Sequence, residues 1–135
     1  MIVRRRGERF NKHLAHETLT VSQLVFLNSD GEWELANAAS GTATLSIGVV
    51  TLGAAAGAYP EVCTWAYITG YTTGLTPGGE LFGSAATAGA ATQTPPAAEN
   101  DVDQVVGWAL TALNVWLEPM VVAKTTAGAN IVHGA

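Results

Sequence analysis

The chain has 135 residues, which suits one domain able to bury roughly two-thirds of its unfolded surface. A single cysteine, Cys63, excludes an intrachain disulfide framework, and the net charge of −5 comes from only 13% charged residues, about half the usual share of about 25%. Ala, Gly and Thr supply 54 positions, so apolar residues are many but small, and a surface so poor in charge points to burial between subunits.

Residues 1–20 read as a basic N-terminal arm. Arg4, Arg5, Arg6, Arg9 and Lys12 are five of the six cations and, with Glu8, give the first twelve residues a net +4 over a body of −9. A basic start followed by Asn11-Lys12-His13 lacks the apolar run of a secretory signal. The stretch 8–18 has the length of one short helix, too short to be stable alone, so the arm is expected to be disordered in free protein.

From residue 21 onward the pattern is β. Strands are expected at 21–27, 32–36, 43–52, 61–69, 79–84, 103–110 and 114–118, with a turn at Asn28-Ser29-Asp30-Gly31 and a Gly/Ala loop at 53–60 ending in Pro60. The uncharged run 35–60 is long enough to span a bilayer. Its Asn37, Ser40, Gly41, Thr42, Thr44, Ser46, Gly48, Thr51 and Gly53 argue instead for strands and loops, and no membrane association is expected. Cys63 falls in the run Glu61-Val62-Cys63-Thr64-Trp65-Ala66-Tyr67-Ile68, where the default for a thiol is a small buried apolar group.

Residues 74–119 carry the clearest turn chemistry. Thr76-Pro77-Gly78 supplies a fixed φ near −65° and then a residue free to take positive φ, so Gly74, Pro77 and Gly78 mark a tight turn into the strand Glu80-Leu81-Phe82-Gly83. Pro95-Pro96 cannot join a central ladder, which leaves 85–102 as a long connection. Val105 to Leu110 and Asn114 to Leu117 are spaced as a hairpin. The class is all-β, a small sandwich or barrel at 21–120, with a tail at 121–135 placed to exchange between subunits.

The succession Gly74-Leu75-Thr76-Pro77-Gly78, Gly89-Ala90-Ala91-Thr92-Gln93-Thr94-Pro95-Pro96, Asp103-Gln104-Val105-Val106-Gly107-Trp108-Ala109-Leu110 and Val115-Trp116-Leu117-Glu118-Pro119 resembles tailed-bacteriophage virion-surface proteins, the group of capsid decoration and head-fibre proteins. With Leu24-Val25-Phe26-Leu27 and Gly31 to Ala36 upstream, the resemblance covers about 21–119. Relatives place aromatic residues directly after the Pro-Gly turn, where this chain has Gly79-Glu80-Leu81-Phe82. The resemblance implies a homotrimer of small β-domains on the exterior of a virion, decorating or cementing the lattice of the major capsid protein. In that setting the basic arm would anchor the subunit, and Trp65, Trp108 and Trp116 would build the trimer. A carbohydrate- or host-surface-binding fibre or tail module, with tryptophans as sugar platforms, is the alternative.

Chemistry has few candidates. His13, His16 and Glu17 suggest a metal helix, but their order fits neither His-Glu-x-x-His nor His-x-x-Glu-His, and a small zinc hydrolase is the minor reading. Asp101/Asp103 and Glu32/Glu34 are candidate carboxylate pairs, the latter alternating with Trp33 as a solvated strand face does, and Gly78-Gly79 lacks the Lys-Ser/Thr ending of a phosphate loop. No Gly-x-Ser-x-Gly occurs. Neither catalysis nor a cofactor is expected, and nucleic acid is disfavoured because the acidic body would repel it.

Overall fold

The structure, a computed structural model, describes residues 1–39 and 44–119. Those residues form an all-β sandwich of two antiparallel sheets without a helix. In chain order the strands are β1 (Ile2–Arg6), β2 (Arg9–Phe10), β3 (Leu24–Leu27), β4 (Trp33–Leu35), β5 (Gly48–Leu52), β6 (Glu61–Cys63), β7 (Ala66–Thr69), β8 (Glu80–Gly83), β9 (Ala91–Thr92), β10 (Val105–Ala109) and β11 (Val115–Leu117). The six-stranded sheet runs β1-β7-β11-β10-β8-β9 and the five-stranded sheet β2-β6-β5-β3-β4.

Period-two alternation decides which side chains meet between the sheets. Val115 and Leu117 point inward while Trp116 stays half-buried, and Ile68 points inward between half-buried Tyr67 and Thr69. They join Leu81 and Val106, and across the gap Leu24 and Val49, in one core. Gln104 is one of the buried polar side chains: its amide accepts from Ser46 N at 2.8 Å and donates to Ser46 O at 2.9 Å and to Pro119 O at 2.7 Å. One side chain thereby satisfies backbone groups that water does not reach.

Every strand expected from the sequence is present in shortened form. The run 61–69 divides at Thr64 and Trp65, and 43–52 narrows to β5, its first residue lying outside the described residues. The turns form as expected. Gly79 N donates to Thr76 O at 3.1 Å around Pro77 and Gly78, and Gly74 and Gly78 take φ of +77° and +80°. The Gln93 amide clamps the same turn through Thr76 N and Thr76 O, each at 2.8 Å. The long connection is held by its own chain: Gly89 bonds Ala36 and Leu24, and Val102 N donates to Ala38 O at 2.8 Å.

The N-terminal arm is where expectation and structure part. Residues 8–18 form no helix, and residues 1–20 do not stand away from the domain. β1 is an edge of one sheet and β2 an edge of the other, so residues 2–10 make one bent strand that pairs antiparallel with β7 and β6 in turn. The bend sits at Gly7, whose N donates to Trp65 O at 2.9 Å and whose missing side chain leaves room for the Trp65 ring; any Cβ there would run into it. Residues 14–19 then cross the outer face of the five-stranded sheet. Ala15 and Leu19 cover Val25, Trp33, Val50 and Val62, making a second apolar cluster. The physical reason is apolar: the basic residues mask Val3, Ala15 and Leu19, which find burial only on the two sheets.

The tail 121–135 named in the sequence reading lies outside the described residues.

Candidate functional site

Three of the four tryptophans gather on the outward face of the six-stranded sheet. Cross-strand register aligns Arg5 with Tyr67, Tyr67 with Trp116, Trp116 with Trp108 and Trp108 with Glu80, a single row across β1, β7, β11, β10 and β8. Neighbours in such a row have backbones about 5 Å apart, which sets their side chains side by side on one face. Trp65, at the bend before β7, stacks on Trp116 with ring centroids 4.5 Å apart and planes 7° from parallel. Trp116 Nε1 donates to Glu118 Oε1 at 3.0 Å. Trp65, Tyr67, Trp108 and Trp116 are all half-buried within the single chain.

The sequence placed Trp108 and Trp116 on strands, as found, and put Trp65 within a strand where the structure has a bend; their convergence was not legible, because strand order brings β7 and β11 together from far apart in the chain. Tyr67 was missed. Its signal was the alternation Trp65-Ala66-Tyr67-Ile68, which puts Trp65 and Tyr67 on one side of an extended run. The fourth tryptophan, Trp33, is 2% exposed beneath the 14–19 segment, where the His13 ring meets it edge-on at 5.8 Å.

The arm cations separate into two groups. Arg6 Nε donates to Glu61 Oε1 at 2.9 Å, and Arg9 Nη1 lies 3.6 Å from Glu61 Oε2. Thr51 Oγ1 donates to Glu61 Oε1 at 2.8 Å. Burial pushes the Glu61 carboxyl up, but the Arg6 and Thr51 hydrogen bonds and the two guanidinium charges outweigh it and leave the group below its ordinary value. Glu61 thus ties the bent strand to β6. Arg4, Arg5 and Lys12 are exposed and make no ion pair among the described residues.

Of the residues weighed for chemistry, the fold brings His16 to the Glu32/Glu34 pair and holds His13 and Glu17 on backbone groups. His13 Nδ1 meets Gly31 O at 3.0 Å, while Glu17 accepts from Leu35 N at 3.1 Å. His16 sits between Glu32 (Nδ1 to Oε1, 3.0 Å) and Glu34 (Nε2 to Oε1, 3.7 Å). The Glu32 hydrogen bond raises the His16 imidazole above its ordinary value; desolvation opposes this, and the Glu34, Glu32 and Glu17 charges add to it. Among the described residues, no three His, Cys, Asp or Glu side chains group so as to hold one ion. Cys63 is buried against Thr51, and burial pushes its thiol up, away from the thiolate a nucleophile needs. No helix among the described residues is long and apolar enough to cross a membrane.

Comparison with protein families, with curated proteins and with solved structures finds no match to this chain.

Proposed function

We propose that the chain is a non-catalytic structural subunit of a phage virion surface, a β-sandwich that assembles as a homotrimer and decorates or cements the capsid exterior. The observation that carries this reading is the outward row of Tyr67, Trp116 and Trp108 with Trp65 stacked on it. In a chain where Ala, Gly and Thr fill 54 of 135 positions, four large half-buried rings on one face offer the concentrated apolar area that an interface is built around. Sparse charge supports the same reading, and the exposed Arg4, Arg5 and Lys12 supply the anchor to the lattice of the major capsid protein.

Light scattering on the purified protein at low and high salt is the test. The expected result is the mass of three 13.9 kDa chains at either salt, falling to one chain in Trp108→Lys with an unchanged circular dichroism spectrum. A monomer at both salts removes the reading.

The second reading, a glycan- or host-surface-binding fibre module, is favoured by the Trp116–Glu118 hydrogen bond, which sets a carboxylate acceptor at the edge of an aromatic ring, a polar group next to an apolar platform. Quenching of tryptophan fluorescence by members of a glycan panel, in a monomeric protein, would put this reading first.

A further inference from the structure

β1 is the first strand of the six-stranded sheet, and β7 is its one sheet neighbour. Its other edge therefore presents a row of backbone N–H and C=O groups with no ladder partner among the described residues. The opposite edge of that sheet, β9, is only two residues long. The register of β1 shifts between Val3 and Arg5, so Arg4 and Arg5 together oppose Tyr67 at a bulge. Beside the strand lies a groove of about 170 Å³ lined by Val3, Arg4, Arg5, Arg6, Thr51 and Glu61. Glu61 is already taken by Arg6, Arg9 and Thr51, and among the described residues Arg4 and Arg5 have no carboxylate partner.

Two features of this edge select its occupant. A second copy of β1 laid alongside would set Arg4, Arg5 and Arg6 against the same arginines, and like charges directly opposed across strands are destabilising. An extended chain carrying carboxylates at alternate positions meets the same edge with its backbone matched to the open ladder and its charges matched to the guanidinium forks. Nucleic acid offers the charge but not an extended peptide backbone to continue the ladder.

We propose that the free edge of β1 receives an extended acidic segment of another protein as an added strand of the six-stranded sheet, with Arg4 and Arg5 pairing its carboxylates. The proposal rests on the reading of the basic edge as an anchoring surface but not on the aromatic row, so its partner and the trimer are independently testable.

The probe is a short labelled peptide alternating glutamate with threonine, set against its glutamine counterpart and a single-stranded oligonucleotide of equal length. Fluorescence anisotropy reads binding, and amide hydrogen exchange reads the edge. The glutamate peptide is expected to bind, more weakly as salt rises, and to slow exchange in β1. Binding should fall about tenfold or more in the double variant Arg4→Glu/Arg5→Glu and partly in Arg4→Ala/Arg5→Ala. Both side chains are exposed, so each variant should keep the parent's melting midpoint. Equal binding of the glutamine peptide, binding unaffected by charge reversal, unprotected β1 amides or preference for the oligonucleotide would each overturn the proposal. Failure of the peptide with a retained trimer sinks this inference alone; a bound peptide on a monomer sinks the trimeric reading alone.

Discussion

Gly107 shows how closely the sheet that bears the aromatic row is built. A Cβ at this position would collide with the Trp116 carbonyl and lie 3.0 Å from Leu117 Cα, both backbone atoms that cannot swing aside. Gly107→Ala should therefore cost about 3 kcal/mol through overpacking, read as a shift in the denaturant midpoint. A neutral outcome would mean that β10 and β11 are not in this register. His16 offers a second test at the same scale. Because its folded value is raised, the contribution of its contact with Glu32 is fully present below the unfolded value of about 6.5 and is lost as pH rises through the folded one. An NMR titration should place the His16 midpoint above about 6.5 and show it falling in Glu32→Gln. Equal midpoints in the two proteins would remove the contact.

Among the elements, the N-terminal segment changes role most. Read as charge alone it is an arm; placed in the fold it is an edge of both sheets and then a cover for Val25, Trp33, Val50 and Val62. Leu19 is 1% exposed in that cover, and its N–H and C=O exchange hydrogen bonds of 2.8 and 3.0 Å with Ala54. Leu19→Ala should cost about 3 kcal/mol in chemical denaturation, whereas a detached arm would make the same change neutral. The basic residues are legible as a cluster in the sequence. Their division into Glu61-bound Arg6 and Arg9 and, among the described residues, unpaired Arg4, Arg5 and Lys12 is not, because Glu61 lies more than fifty residues away in the chain.

At the scale of the whole molecule, the sandwich presents a face of large aromatics on the six-stranded sheet and a basic edge beside it. If the face joins copies by burying apolar area, the solution mass should not change with salt, because screening acts on charges and not on apolar contact. An assembly that dissolves at high salt would instead assign the contact to the arginine edge. Light scattering across a salt series separates the two.

Local chemistry was enough for the sequence to determine the all-β class, the Pro77-Gly78 turn and seven β runs that the fold divides into eight strands, since φ preference and period-two alternation act between near neighbours. The three strands missed, β1, β2 and β9, carry no alternation of their own: Val3 is the one partly buried residue of β1, and β2 and β9 are two residues long. Such segments become strands because a neighbour's open edge offers hydrogen bonds, which only the assembled sheets supply. Tertiary structure alone also decided that Tyr67, Trp108 and Trp116 share one row and that Trp65 stacks on it, because register between strands distant in the chain is fixed by what the core buries.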